Sequence, residues 1–101
     1  SDLYEEITIL DKYIINFLSE EQKDIANSLA QKNDHILNPD QFTLIDHGLI
    51  IKDSIGWMAC TKNTIIDSGD HSILTANVYD LQISDGYPLV FWGSKYRSIL
   101  R

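Results

Sequence analysis

The 101 residues carry 15 acidic against 8 basic side chains, a formal net charge of -7, with 44% of residues apolar and 23% charged. That length and composition fit one globular domain and exclude two. The acid excess excludes sequence-independent nucleic-acid binding, which needs lysine and arginine to neutralise phosphates, and no apolar run is long enough to cross a bilayer as a helix.

The acidic start Ser1-Asp2-Leu3-Tyr4-Glu5-Glu6 lacks the basic n-region of a secretory signal. Leu3, Ile7 and Leu10 stand at helical spacing around Glu5 and Glu6, which predicts a short amphipathic helix over residues 3–10, ending near Asp11-Lys12. Tyr13-Ile14-Ile15-Asn16-Phe17-Leu18 then reads as a buried strand, being β-branched and aromatic. Ser19-Glu20-Glu21-Gln22 has the form of a capping box, with the serine hydroxyl accepting from the Gln22 N–H and the Gln22 side chain reaching back. Ile25, Ala26, Leu29 and Ala30 form one face, so a helix should follow to about Gln31.

Residues 32–39 read as a connection, and everything after them reads as β. Residues 42–45 and 49–51 are short strands joined through Asp46-His47-Gly48, and residues 55–66 form a longer strand with Trp57, Ala59 and Thr61 on one face and Met58 and Cys60 on the other. Cys60 is the only cysteine, so an intrachain disulfide is impossible, a reducing cytoplasm is the expected compartment, and this thiol is a small core residue. Asp67-Ser68-Gly69-Asp70 supplies the next turn, and residues 71–84 the returning strand. Ile73, Thr75, Asn77, Tyr79, Leu81 and Ile83 give no clean alternation there, so the faces of this strand stay unassigned. Asp85-Gly86 is expected to close a further hairpin onto a last strand over residues 88–92. Trp57 and Trp92 read as core residues, and Lys95, Arg97 and Arg101 either hold a phosphate or form a solvated basic tail.

Helix, strand, helix and then an antiparallel meander is mainly β, and the meander has too few strands to close into a barrel. An unpaired edge and an uncovered apolar face predict dimerisation, strand exchange or pairing with another chain. Within this pattern Gly69-Asp70-His71 ends a turn on one of three histidines: glycine permits φ > 0, aspartate favours the turn, and the imidazole opens the next strand. Taken alone it is a hairpin with an exposed histidine. No Cys/His or His/Asp spacing suits a metal, so none is expected.

In order along the chain, Asn16-Phe17-Leu18-Ser19-Glu20-Glu21-Gln22, Gly56-Trp57-Met58-Ala59-Cys60, Gly69-Asp70-His71, Pro88-Leu89-Val90-Phe91-Trp92 and Tyr96-Arg97 together resemble the flavin reductase-like family. The resemblance runs from Tyr13 onward. It implies an FMN-binding split β-barrel, antiparallel and Greek-key-like, with one or two short helices near the N-terminus. The implied activity is reduction of FMN or FAD by NADH or NADPH, in a homodimer, and in many members as the reductase component of a two-component monooxygenase with an oxygenase partner. Two departures stand out: the first strands of such a domain, which carry serines that hold the flavin, do not precede Ser1, and Gly93-Ser94-Lys95 replaces an R-G-R-like segment. Residues 1–101 therefore read as a single partial domain: a fragment, a divergent short member, or a chain whose missing strands come from a second polypeptide. A non-catalytic split-barrel binding or assembly domain that has lost its flavin is the alternative reading.

The resemblance places His71 beside nicotinamide and flavin as the hydrogen-bonding or positioning group of the catalytic site, with Gly69 permitting the turn and Asp70 bracing it. Tyr96 either stacks or hydrogen-bonds in the same pocket or packs on the barrel. Lys32 either approaches the flavin phosphate or is a solvated helix end, and Asn16 either touches flavin or satisfies backbone groups at the strand end. His35 and His47 match no position of the family pattern.

Overall fold

The computed structural model describes residues 11–30, 37–92 and 95–97, with Trp92 and residues 95–97 described by their backbone pairing; the helix expected over residues 3–10, His35 and the site candidate Lys32 lie outside them. The elements are β1 (Lys12–Phe17), α1 (Lys23–Leu29), a 3-10 turn (Pro39–Gln41), β2 (Phe42–Ile45), β3 (Gly48–Ile51), β4 (Gly56–Ser68), β5 (His71–Ile83), β6 (Val90–Trp92) and β7 (Lys95–Arg97). All strand pairs are antiparallel, in three sheets ordered β1-β4-β5, β2-β3 and β6-β7 that do not close on one another. The β-rich reading holds, but the meander after the helix does not, because among the described residues β3 does not pair with β4 nor β5 with β6; β4 lies instead between β1 and β5.

Two further corrections concern connections. The chain after Asp85-Gly86 does not form a hairpin with β5. It runs back along the end of β1, where Pro88 bridges Ser19, the Glu20 N–H donates to the Tyr87 carbonyl at 2.9 Å and the Leu89 N–H donates to the Leu18 carbonyl at 2.9 Å. β6 then pairs with β7, a strand that three residues of mixed polarity gave no reason to expect. The capping box at Ser19 is half formed: the Gln22 Oε1 accepts from the Ser19 N–H at 2.9 Å, but the Gln22 N–H donates to the Ser19 carbonyl instead of its hydroxyl. That makes a turn, and α1 starts only at Lys23.

β5 explains its own lack of alternation. Its register against β4 passes from Asp80 opposite Ala59 to Val78 opposite Cys60, leaving Tyr79 as an extra residue, and a second shift leaves Asn63 extra on β4. Each β-bulge exchanges the two faces of the strand that carries it. At Gly56 β5 leaves no room for a side chain on β4, since a Cβ there would stand 2.5 Å from the Gln82 carbonyl oxygen.

Directly opposed residues share a face in an antiparallel sheet, so Ile15-Met58-Leu81 and Phe17-Gly56-Ile83 are cross-strand rows on one side. That side is open toward β5, where Leu81 and Ile83 are 51% and 66% exposed, and closed at Cys60, which is 1% exposed. The opposite side, with Ile14, Trp57 and Ala59, carries the β2-β3 hairpin and the buried core of Ile51, Trp57 and Ala59.

Candidate functional site

His71 begins β5 after a two-residue turn in which Ser68 opposes His71. Gly69 takes φ +62, and a positive φ at the first loop position is where a tight hairpin favours glycine. Ser72 Oγ donates to Asp67 Oδ1 at 2.7 Å across the turn, so the turn is braced by Asp67 and Ser72. Asp70 does something else: its Oδ1 lies 2.6 Å from His71 Nδ1. With the carboxylate accepting from Nδ1–H, a neutral His71 imidazole presents Nε2 as an acceptor. Both side chains are open to solvent, 83% exposed for His71 and 93% for Asp70.

Asn16 does not stand at this corner. Asn16 pairs with Trp57, and Trp57 is eleven residues along β4 from Ser68, on the order of 35 Å of strand path from His71. Its carboxamide works as a stitch between sheets: Nδ2 donates to the Leu49 carbonyl at 3.2 Å and Oδ1 accepts from the Ile51 N–H at 3.0 Å. Of the two roles open to Asn16, satisfying backbone groups is the one these bonds perform. Tyr96 lies in β7 opposite Phe91. Gln22, buried, repeats the stitch one turn on, Nε2 donating to the Lys52 carbonyl at 2.8 Å.

A second side-chain cluster had not been marked in the sequence. His47, on the β2-β3 turn, has Nε2 2.9 Å from Asp80 Oδ2 and Nδ1 3.5 Å from the Tyr79 hydroxyl, with its ring 5.1 Å from the Tyr79 ring and 5.9 Å from Trp57. Consecutive strand residues normally face opposite ways, and Tyr79 and Asp80 both reach His47 because Tyr79 is the bulged residue. The broken alternation of residues 71–84 was the sequence signal for it. A cavity of about 420 Å³ adjoins this cluster, lined by Ile45, Asp46, His47, Trp57 and Asp80.

A groove of about 740 Å³ lies elsewhere, between the Ser19–Gln22 turn and the turns before β4 and after β5. Among the described residues Glu20, Glu21, Asp24, Asp40, Asp53 and Asp85 line it together with Lys52, a field that repels a nucleotide phosphate. Burial pushes the Cys60 thiol above its ordinary pKa, and burial followed by the neighbouring Cys60 raises Tyr13. Cys60 is 1% exposed, with Sγ directed at the Met58 carbonyl 3.8 Å away, so it is a core residue as expected and not a nucleophile. Among the described residues no three His, Cys, Asp or Glu side chains are placed to hold a metal, and no helix is long and apolar enough to cross a membrane.

Antiparallel sheets left open, with an imidazole at the tip of the longest described hairpin, make an unclosed, mainly β fold. The model of the flavin reductase like domain matches residues 1–100, and the chain belongs to that family. Over 81 residues it is 35% identical to a probable flavin reductase of Rhizobium meliloti (strain 1021), covering 74% of this chain and 24% of that protein. It is 30% identical over 79 residues to the reductase component of the flavin-dependent trigonelline monooxygenase of Acinetobacter baylyi (strain ATCC 33305 / BD413 / ADP1), covering 77% of this chain and 26% of that one. The solved structure of flavin reductase PheA2 in its native state superimposes with a TM-score of 0.81 at 27% identity, covering 100% of this chain and 65% of its own. The chain thus spans about a quarter of these two curated relatives and about two thirds of that structure.

Proposed function

We propose that this chain contributes the nicotinamide-side corner of an NAD(P)H-dependent flavin reductase that works in the cytoplasm as the reductase component of a two-component monooxygenase. The observation that carries this reading is the Asp70–His71 pair at 2.6 Å on a Gly69 turn, in a chain of this family. The bound flavin, FMN or FAD, and NADH or NADPH supply the hydride chemistry between themselves, so the protein's task is orientation. His71 Nε2 accepts from the nicotinamide carboxamide while Asp70 keeps the proton on Nδ1. Tyr96 flanks the ring. The described residues fit this ring side and not the phosphate side, since the large groove is acidic; Lys32 serves the flavin phosphate. The exposed rows ending in Leu81 and Ile83 are covered in a homodimer or by strands of another chain, and the reduced flavin passes to an oxygenase.

The test is steady-state NADH and NADPH oxidation by the full natural protein with FMN and with FAD. His71→Ala should raise the KM for the nicotinamide nucleotide about tenfold, the effect of about one lost oriented hydrogen bond to a ligand, with flavin affinity unchanged. Absence of turnover by the unaltered protein with every pairing overturns the reading and leaves the non-catalytic assembly domain in its place.

A further inference from the structure

The β2-β3 hairpin is held to the rest of the fold unequally at its two ends. At its base Ile51 donates to Asn16 Oδ1 and Lys52 accepts from Gln22 Nε2, and Leu49, one rung short of the tip, accepts from Asn16 Nδ2, all three part-buried. At its tip the two-residue turn Asp46-His47 reaches the main sheet through the His47 side chain, on Asp80 and Tyr79 of β5. Gly48 adds a close apolar approach, since a Cβ there would stand 3.3 Å from Ile14 Cδ1. β2 and β3 form a sheet of their own, and a lone two-stranded hairpin is marginally stable in water, so these anchors decide whether it stays down.

The anchors differ in strength. His47 and Asp80 side chains are 29% and 51% exposed, and a contact that water reaches contributes little net stability. The base bonds hold main-chain groups that burial would otherwise leave unpaired. Local opening follows the weakest contacts, so the tip lifts before the base. Lifting the tip takes His47 away from Trp57, which is 8% exposed, and widens the solvent-open depression of about 420 Å³ lined by Ile45, Asp46, His47, Trp57 and Asp80. We infer that the β2-β3 hairpin is a strap, hinged at Asn16 and Gln22 and latched at its tip by His47 on Asp80 and Tyr79, whose release uncovers Trp57. This device is independent of the proposed reductase activity.

Residue-resolved amide hydrogen exchange on the full natural protein tests it. In the unaltered protein Ile45 and Gly48, the pair beside the turn, exchange faster than Ile51. His47→Leu and Asp80→Ala should each speed exchange at Ile45 and Gly48 by about three- to tenfold, the factor for one net hydrogen bond, and the double variant should do no more than the larger single one. Ile51 should keep its rate, and His47→Gln should restore part of the protection at the tip. Tyr79→Phe, which removes only a hydroxyl, serves if His47→Leu does not fold, and should speed the tip alone. Unchanged tip exchange in these variants, or equal acceleration at Ile51, overturns the strap.

Discussion

Asn16 offers the sharpest test of how the fold is held, because one side chain satisfies two main-chain groups of another sheet. Asn16→Ala removes the acceptor of the Ile51 N–H and the donor to the Leu49 carbonyl, bonds of 3.0 and 3.2 Å. A backbone group left without a partner in the interior costs about 1–3 kcal/mol, and partial solvent access at this site favours the lower half, so the pair should cost about 2–4 kcal/mol. Against a total stability of about 5–15 kcal/mol, that is large enough to read directly from urea unfolding followed by circular dichroism. Asn16→Asp sharpens the result. Its carboxylate still accepts from Ile51 but faces the Leu49 carbonyl, which raises its pKa in the folded chain, so the variant should be destabilised at neutral pH and should recover, relative to the unaltered protein, as pH falls through that raised pKa, fully by about pH 4, where an O–H donor has appeared. A loss below about 0.5 kcal/mol in Asn16→Ala, or weaker flavin binding with unchanged stability, would refute the stitch.

Two glycines should respond to different degrees. Gly56→Ala drives a methyl to 2.5 Å from the Gln82 carbonyl oxygen and should cost about 3 kcal/mol by forcing β4 from β5. Gly69→Ala meets nothing within 4 Å and should cost only about 1 kcal/mol, from its positive φ, in the same unfolding assay. Cys60 should resist a thiol-specific reagent in the native state and react on unfolding. Because burial raises its pKa in the folded chain, the unfolded chain loses this proton first; stability is therefore full below about pH 8.5 and falls as pH rises through the folded pKa, by at most about 1.4 kcal/mol per pH unit. Cys60→Ala should flatten that decline, and a slope identical to that of the unaltered protein would contradict it.

The sequence by itself determined that the segments of β1 to β6 are strands, from their β-branched and aromatic content between turn residues, together with the Gly69 turn, the buried thiol and the family. These depend on local spacing and on residue types that only one conformation accommodates, such as a glycine at φ +62. Only the tertiary structure decided that β1 lies beside β4, that the chain after Gly86 returns to Ser19 and that β6 pairs with β7, because strand partners are chosen by long-range burial and not by neighbours in sequence. It also decided what the polar candidates do. Asn16 was legible as a strand-end amide but not as the stitch to Leu49 and Ile51, 33 and 35 residues away. His47 was passed over because its partners, Tyr79 and Asp80, share a side only through a bulge, and a bulge reaches the sequence merely as an alternation that fails.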